Sequence, residues 1–495
     1  MDLLPPRRNQ SFPVGQLGSQ IVVPVLRLVV LELGKALTET SASNYSCTYS
    51  DHPRCQVQKE LGLKCPLLVW TPMRYIIFLC FLSLHLGFLS CTDQTPDPQY
   101  TVYEKPPEPE AWTSDIEVDL GTFPGGIHIT DVTPNGALVS VESNEPTLEL
   151  RLMEGQGTEW IEIQRHPNTN LSSGRVAHLE LRDLQPDTAY SIVALTPDGT
   201  TRSRITRFIT ALPENAARIL RFGATSCLGG SNYPWPNLSQ AAKAKLDFML
   251  FAGDTVYADS SDSLDGYRGT WEYAFAATGL ADLSSSTSLV STWDDHEIVN
   301  DFSWDYTNDE SRFNAARQAY FEAMPWRGEN IYRVLRWGRT LDIIILDARG
   351  ERRDGLYLSQ TQLEWVKTTL LESRARFKLI LNSVPITDMT GLFGNILEGD
   401  RWQGFPQQRT ELLAFIEDNQ IEGTFFVAGD FHYSHVAKVS MPGDIGDSLW
   451  EVMAGPAGSW INPVMSLNPP TDEQFDLFVG THTYTYFELD PDLGT

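Results

Sequence analysis

The chain has 495 residues, too many for one ordinary core, which predicts two or three folded units. Apolar residues make up 42% and aromatic residues 11% of the sequence, a composition that excludes wholesale disorder. The formal net charge of -27 excludes a general affinity for nucleic acids or anionic membranes. An anionic substrate is still compatible with this charge if bound cations reverse the field inside the site.

An export signal is predicted some way into the chain. Met73-Arg74-Tyr75 precedes the apolar run IIFLCFLSLHLGFLS and then Cys91. Because this run is shorter than the roughly 20 residues of a membrane span, a cleaved signal over residues 73–91 is favoured. The segment FLSC resembles a bacterial lipoprotein cleavage site, which implies lipidation of Cys91; an uncleaved anchor and an ordinary signal peptide are the alternatives. We therefore expect an exported protein, periplasmic or on the cell surface.

The regions on either side of this signal contain no recognised catalytic or metal-binding motif. Since export signals stand at the N-terminus, residues 1–72 are interpreted as an upstream extension from a misassigned start codon, with Ile21 to Leu33 compatible with an amphipathic helix. Residues 92–114 are rich in proline and acidic side chains, a composition typical of an extended tether. Beyond Cys91 the sequence contains one cysteine, Cys227, so no disulfide can form within that part of the chain.

Residues 115–212 predict an antiparallel β-sandwich. Short alternating runs such as GIHITDV, LELRLME and YSIVALT follow one another with turn residues between them and no helical segment. The piece LQPDTAY, which ends at Tyr190, resembles the tyrosine corner of fibronectin type III-like domains. That resemblance implies an immunoglobulin-like sandwich in which the Tyr190 hydroxyl ties the chain back across the domain.

Residues 217–495 predict an α/β domain. The apolar runs ILRFGATSC, LDFMLFAGD, SLVSTWDDH, LDIIILDAR, FKLILNSVP and TFFVAGDFH alternate with helix-like segments such as QTQLEWVKTTLLES. Runs that are apolar on both faces indicate buried strands of a layered fold. The chain ends soon after a further strand-like run, beyond which we expect one more strand.

Polar clusters directly follow four of these buried runs, where open α/β sheets place their ligands. Several carboxylates would converge at one sheet edge, repel one another and resist ionisation unless cations are bound between them. Histidines, which are common metal ligands, occur in two of the clusters. The clusters are Ser226-Cys227, Gly253-Asp254-Thr255-Val256-Tyr257-Ala258-Asp259, Trp293-Asp294-Asp295-His296-Glu297 with Asn300-Asp301, and Gly429-Asp430-Phe431-His432-Tyr433-Ser434.

These ordered clusters, together with LDARGERRDG, FKLILNSVP and DRWQGFPQQR, resemble the PhoD-like alkaline phosphatase family of the metallophosphoesterases. The resemblance runs from about Arg218 to the last residues. It implies an αββα four-layer metallophosphoesterase sandwich, preceded by an all-β sandwich domain. It also implies a hydrolase acting on phosphoric ester bonds.

The resemblance further implies a set of metal ligands. Asp254 would bridge two ions, with Tyr257 and Cys227 on one of them. This anionic set suits iron as Fe³⁺. Oxygen ligands at neighbouring ions suit calcium, although manganese or zinc would accept much of the same geometry. The remaining ligands implied are Asp295, Asn300, Asp430 and His432.

The implied reaction is attack by a metal-bound hydroxide on a small-molecule phosphate monoester or diester. His296 is similar to the family's substrate-facing histidine and would protonate the departing alkoxide, held by a neighbouring acid such as Asp294 or Glu297. Two alternatives stay open on the sequence. One is a non-catalytic surface binding protein that metals merely stabilise, and the other is a thiol enzyme with Cys227 as nucleophile.

Overall fold

The structure is a computed structural model that describes residues 20–23, 26–30, 100–105, 107–172, 175–389, 398–467, 469–470 and 472–492. The predicted signal at 73–91 and most of the predicted extension at 1–72 lie outside these residues. None of the helices in the described part of the chain combines the length and the apolar composition that a membrane span requires.

The first half of the described chain is built from strands alone. They are β1 (Gln20–Val23), β2 (Leu26–Val30), β3 (Thr101–Val102), β4 (Glu117–Val118), β5 (Gly126–Thr133), β6 (Gly136–Glu142), β7 (Thr147–Gln156), β8 (Glu159–Asn170), β9 (Val176–Leu181), β10 (Ala189–Leu195), β11 (Thr201–Arg202) and β12 (Thr206–Ile209).

The second half alternates strands with helices. The strands are β13 (Ala216–Ala217), β14 (Leu220–Thr225), β15 (Phe248–Ala252), β16 (Ser288–Thr292), β17 (Arg333–Trp337), β18 (Leu341–Ile345), β19 (Phe377–Leu381), β20 (Thr424–Ala428), β21 (Ser434–Lys438), β22 (Trp450–Met453), β23 (Phe475–Val479) and β24 (Thr485–Leu489). The α-helices are Pro236–Ala241, Leu264–Ala276, Thr278–Ser284, Glu310–Ala323, Gln360–Glu372, Pro406–Asp418 and Pro463–Leu467, and 3₁₀ turns cover Gly230–Asn232, Glu398–Asp400 and Trp402–Gly404.

The N-terminal domain is the predicted β-sandwich. One sheet has the order β5-β6-β9 and the other the order β4-β11-β10-β7-β8, with β12 against β10. Inward-facing residues of both sheets, among them Ile129, Val139 and Leu152, form one buried apolar core. The predicted tyrosine corner is confirmed, because the Tyr190 hydroxyl accepts the N–H of Gln185 at 2.8 Å.

The C-terminal domain has the predicted four layers. Strands β14, β15 and β16 run parallel in one sheet, and β18, β19, β20 and β22 run parallel in the second. Apolar side chains from both sheets form the central core. A second core lies between the first sheet and helices that include Leu264–Ala276 and Glu310–Ala323, and a third lies between the second sheet and the helices Gln360–Glu372 and Pro406–Asp418.

The two domains share a sheet. Leu289 of β16 pairs in parallel with Thr130 of β5, so the β5-β6-β9 sheet continues the first sheet of the α/β domain. At the opposite edge, β24 pairs with β14, and β2 pairs with β24. The expectation of an amphipathic helix over Ile21 to Leu33 is therefore wrong for the described residues, which form strands β1 and β2 because they pair with each other and with β24.

A buried ionic cluster also joins the domains. Arg218 is buried and donates to Asp187 of the sandwich at 2.6 Å and to Asp247, which precedes β15, at 3.0 Å. Two residues of the predicted tether take part, because the Tyr103 hydroxyl donates to Asp187 and the Lys105 ammonium to Asp247. This part of the tether is therefore extended but attached to both domains.

Candidate metal centre

The loop after β15 places Asp254 at the edge of the first sheet. Gly253 and Asp254 both have a left-handed backbone, with φ of 89° and 53°. A Cβ atom on Gly253 would lie 2.6 Å from the Cβ of Asp294, so only glycine allows these two loops to approach so closely. The buried carboxylate of Asp254 is thereby held beside the loop that follows β16.

Glu297 fixes the two loops to each other. Its buried carboxylate accepts the backbone N–H groups of Asp254 at 3.0 Å, Thr255 at 2.6 Å and Asp294 at 2.8 Å. Burial raises the pKa of Glu297 to about 8, even though these three donors favour the charged form. Sequence reasoning treated Glu297 as a partner for His296, whereas the structure makes it the anchor of the metal-ligand loops.

Among the residues that the structure describes, possible ligand atoms form three groups that all contain Asp254. Within each group, the ligand atoms lie within 4.8 Å of one another. Asp254 belongs to every group, as expected of a carboxylate that would be shared between neighbouring ions. The groups are Cys227, Asp254 and His432; Asp254, Asp295 and His296; and Asp254, Asp294, Asp295 and Asp430.

The carboxylates of this centre fit bound cations. Asp254 Oδ1 and Asp294 Oδ2 are buried and have no hydrogen-bond partner in the described part of the chain. Burial and the neighbouring charge of Asp295 raise the pKa of Asp254 well above its ordinary value, and burial and the charge of Asp400 do the same to Asp430. Cations would give the free oxygens a partner and remove the repulsion.

The predicted thiolate and phenolate ligands lie on one side of Asp254. The Tyr257 hydroxyl is 3.3 Å from Asp254 Oδ2 and 3.1 Å from His432 Nε2. Cys227 is fully buried, and its Sγ donates to the Ser226 hydroxyl at 3.1 Å. Burial and the charge of Asp254 raise the pKa of this thiol well above its ordinary value. A thiol without a cation beside it is therefore a poor nucleophile at this position.

His296 lies beside the carboxylates and is held by Asp259. Its Nδ1 is 2.8 Å from Asp259 Oδ1, and its ring stacks on Tyr257 with the centroids 4.1 Å apart. Burial lowers the pKa of His296, but the hydrogen bond to Asp259 and the charges of Asp295 and Asp259 outweigh burial and raise it to about 9. The expectation that Asp294 or Glu297 holds this histidine is wrong.

The structure gives Asp294 another partner, Arg349, whose position in the sequence left pairing with a carboxylate and contact with phosphate both open. Arg349 is fully buried and pairs through Nε with Asp294, while its Nη1 donates to Asp400 at 2.6 Å. Its Nη2 is 3.8 Å from Asp295 Oδ1. Arg349 thus neutralises part of the charge behind the ligand set. Its position in LDARG, directly after β18, was the available signal.

Asn300, predicted as a ligand, is exposed. Its backbone N–H donates to Asp259 at 2.7 Å and its side-chain Nδ2 to Asp301 at 2.6 Å. These contacts place Asn300 next to the partner of His296, and its role as a metal ligand stays a prediction. The other ligand candidates predicted from the sequence, from Cys227 to His432, are brought together.

The four layers and the carboxylate-rich strand ends define a metallophosphoesterase-type fold and site. The structure titled "Structure of PhoD" has a TM-score of 0.66 with this chain, at 19% identity, and the match covers 77% of this chain and 86% of that one. The purple acid phosphatase PPD1 from yellow lupin (Lupinus luteus) seeds has a TM-score of 0.54 at 14% identity, covering 74% and 70%. At these identities the likeness concerns the fold.

Sequence comparison agrees with the fold. The PhoD-like phosphatase family matches residues 222–474, about half of the chain, and this protein belongs to that family. Alkaline phosphatase D of Bacillus subtilis (strain 168) is 24% identical over 324 aligned positions, and the match covers 53% of this chain and 54% of that protein. The chain thus matches about half the length of this curated relative.

Proposed function

We propose that this protein is a metal-dependent phosphoesterase that hydrolyses phosphate monoesters, phosphate diesters or both. The observation that carries the proposal is the position of Asp254, which is buried and shared by all three groups of ligand atoms. Family membership supports the reaction class. The acidic character of the site agrees with it, because only bound cations would let a phosphate approach so many carboxylates.

Cations held by Asp254 and its neighbours would lower the pKa of a bound water molecule and offset negative charge on the phosphoryl oxygens. The protein supplies the proton for the departing alkoxide. His296 is the donor in this proposal, and Asp259 orients its ring by accepting from Nδ1, which leaves Nε2 to face the substrate. Tyr257 stacks on the same ring and restricts its rotation.

The proposed metals are iron and calcium. The thiol of Cys227, the phenol of Tyr257 and the carboxylate of Asp254 form an anionic donor set that suits a ferric ion. On the other side of Asp254, Asp295 and Asp430 offer oxygen atoms, which suit calcium. Manganese or zinc would accept much of this geometry, so the metal content has to be measured.

The test is elemental analysis of the purified protein combined with turnover of a chromogenic phosphate monoester and diester before and after EDTA treatment. We expect tightly held metal, turnover that chelation abolishes, and recovery when metal is restored. Asp254→Asn should lose both metal and turnover, whereas the exposed Asp265→Asn variant should keep both. A metal-free protein that hydrolyses either ester at an undiminished rate would refute the proposal.

The same variants separate the two alternatives. A thiol enzyme would lose turnover on alkylation of Cys227 with its metal content unchanged. The buried position of this thiol disfavours catalysis by Cys227 as a nucleophile. A non-catalytic binding protein would hold metal and hydrolyse neither ester. We further propose export, on the strength of the segment 73–91, and mass spectrometry of the mature N-terminus would test both cleavage and lipidation at Cys91.

A further inference from the structure

Exposed apolar side chains occur in a segment that is attached to the candidate metal centre. The side chains of Trp460, Val464 and Leu467, here termed the apolar lip, are 54%, 42% and 80% exposed. They follow one another within eight residues of the segment that leaves β22. Exposed apolar side chains grouped beside a reactive centre indicate a surface that contacts a ligand.

The backbone of the lip is attached to the loops that carry metal ligands. The carbonyl of Cys227 accepts the N–H groups of Gly458 at 3.0 Å and Ser459 at 2.8 Å, and the carbonyl of His432 accepts the N–H of Asn462 at 3.0 Å. The exposure of Trp460 is therefore a property of a fixed segment, since both neighbouring stretches of backbone are tied to ligand residues.

The side chain of Asn462 makes the lip a single unit. Its Nδ2 donates to the carbonyl of Phe431 at 3.3 Å, and its Oδ1 accepts the N–H groups of Val464 at 3.1 Å and Met465 at 3.2 Å. Met465 is buried in a small apolar core with Phe431. The lip thus has a buried anchor on one side and presents apolar atoms outward on the other.

The indole of Trp460 lies against the candidate metal ligand His432. The ring of Trp460 is perpendicular to the imidazole of His432, with the centroids 4.8 Å apart, and His432 Nε2 is 3.1 Å from the Tyr257 hydroxyl. An organic group that extends from a phosphate at the centre past His432 would contact the indole. Aromatic and apolar groups gain most from contact with such a ring.

We propose that Trp460 is a specificity-determining residue that contacts the organic group of the substrate and favours phosphate esters of uncharged apolar alcohols, aryl alcohols above all. The proposal rests on the phosphoesterase function proposed above. The formal net charge of -27 acts in the same direction, because further anionic groups on the substrate would be repelled.

The test compares phenyl phosphate with glycerol phosphate, two monoesters of similar charge, in the metal-loaded enzyme. Trp460→Ala should lower kcat/KM for phenyl phosphate by about 2- to 10-fold, mainly through KM, and change the value for glycerol phosphate by less than about 2-fold. Trp460→Phe should retain most of the aryl preference. Leu371→Ala is the matched control, because Leu371 is 55% exposed on the helix Gln360–Glu372, and it should affect neither ester.

A binding measurement removes the dependence on turnover. Phenylphosphonate binding, measured by isothermal titration calorimetry, should weaken in Trp460→Ala by the same factor as kcat/KM, while binding of methylphosphonate should not change. Equal losses for both esters, or no loss for either, would overturn the role of Trp460 and leave the phosphoesterase function standing. A wild-type enzyme that holds metal but hydrolyses neither ester would overturn that function instead.

Discussion

Asp254→Asn should have opposite effects on stability in the metal-free and the metal-loaded protein. Ligand atoms of Asp254 and its neighbours lie within 4.8 Å of one another. Two like charges at that distance repel by about 3 kcal/mol at an effective dielectric constant of about 20. Arg349 offsets part of this repulsion, because it pairs with Asp294 and lies 3.8 Å from Asp295.

The pH dependence follows from the direction of the pKa shift. Burial and the charge of Asp295 raise the pKa of Asp254 well above its unfolded value. In the folded metal-free protein, Asp254 must therefore either keep its proton or bear the repulsion from the neighbouring carboxylates. In both cases the folded state loses stability as the pH rises above the pKa of Asp254 in the unfolded chain. Asparagine at position 254 has neither the charge nor the titrating proton. The metal-free variant should therefore be more stable than wild type at pH 8, by about 3 kcal/mol, and should have nearly the same stability as wild type near pH 4.

With metal present the order should reverse, since ions that bind only the folded state stabilise it and the variant has lost their central ligand. Differential scanning calorimetry of both proteins at pH 4 and pH 8, with EDTA and with metal restored, measures the stability difference in each state. Asp265→Asn removes one exposed charge and serves as the control for net charge. A metal-free wild type as stable as the variant at pH 8 would refute the reasoning about the carboxylates.

Three further predictions concern His296, Arg218 and Glu142. His296→Ala should keep its metal but lose turnover by about 10²- to 10⁴-fold, and Asp259→Asn should show a smaller loss of turnover. Steady-state kinetics and elemental analysis measure turnover and metal content for both variants. A fully active His296→Ala would rule out the role of His296 as proton donor. Arg218→Ala removes the guanidinium that pairs with Asp187 and Asp247 and leaves these buried carboxylates with fewer donors, so it should lower the free energy of unfolding by about 3–5 kcal/mol in chemical denaturation; a change below about 1 kcal/mol would contradict this. Burial raises the pKa of Glu142 to about 7, so the folded protein binds the extra proton and loses stability as pH rises from 4.5 to 7. Glu142→Gln should therefore be more stable than wild type above pH 7, by at most about 3 kcal/mol, and equal to it below pH 4.5, as thermal melts across this range would show.

Several features of the fold could be predicted from the sequence because they depend on local patterns. Strands such as Phe248–Ala252 are apolar on both faces, and this pattern reflects burial between layers whatever their neighbours are. The grouping of Asp254, Asp295 and Asp430 followed from their positions directly after such strands, since the ends of parallel strands meet at one sheet edge.

Other features depended on contacts between residues that are distant in the chain. Asp259 holds His296 from 37 residues away, and Arg349 reaches Asp294 from 55 residues away. Local patterning does not specify such pairs, because a polar residue in a loop shows no periodicity that identifies its partner. The sequence by itself determined the buried strands of the α/β domain and the carboxylates that gather at their ends. Only the tertiary structure decided which carboxylate orients the histidine, and that β16 joins β5 to make one sheet of two domains.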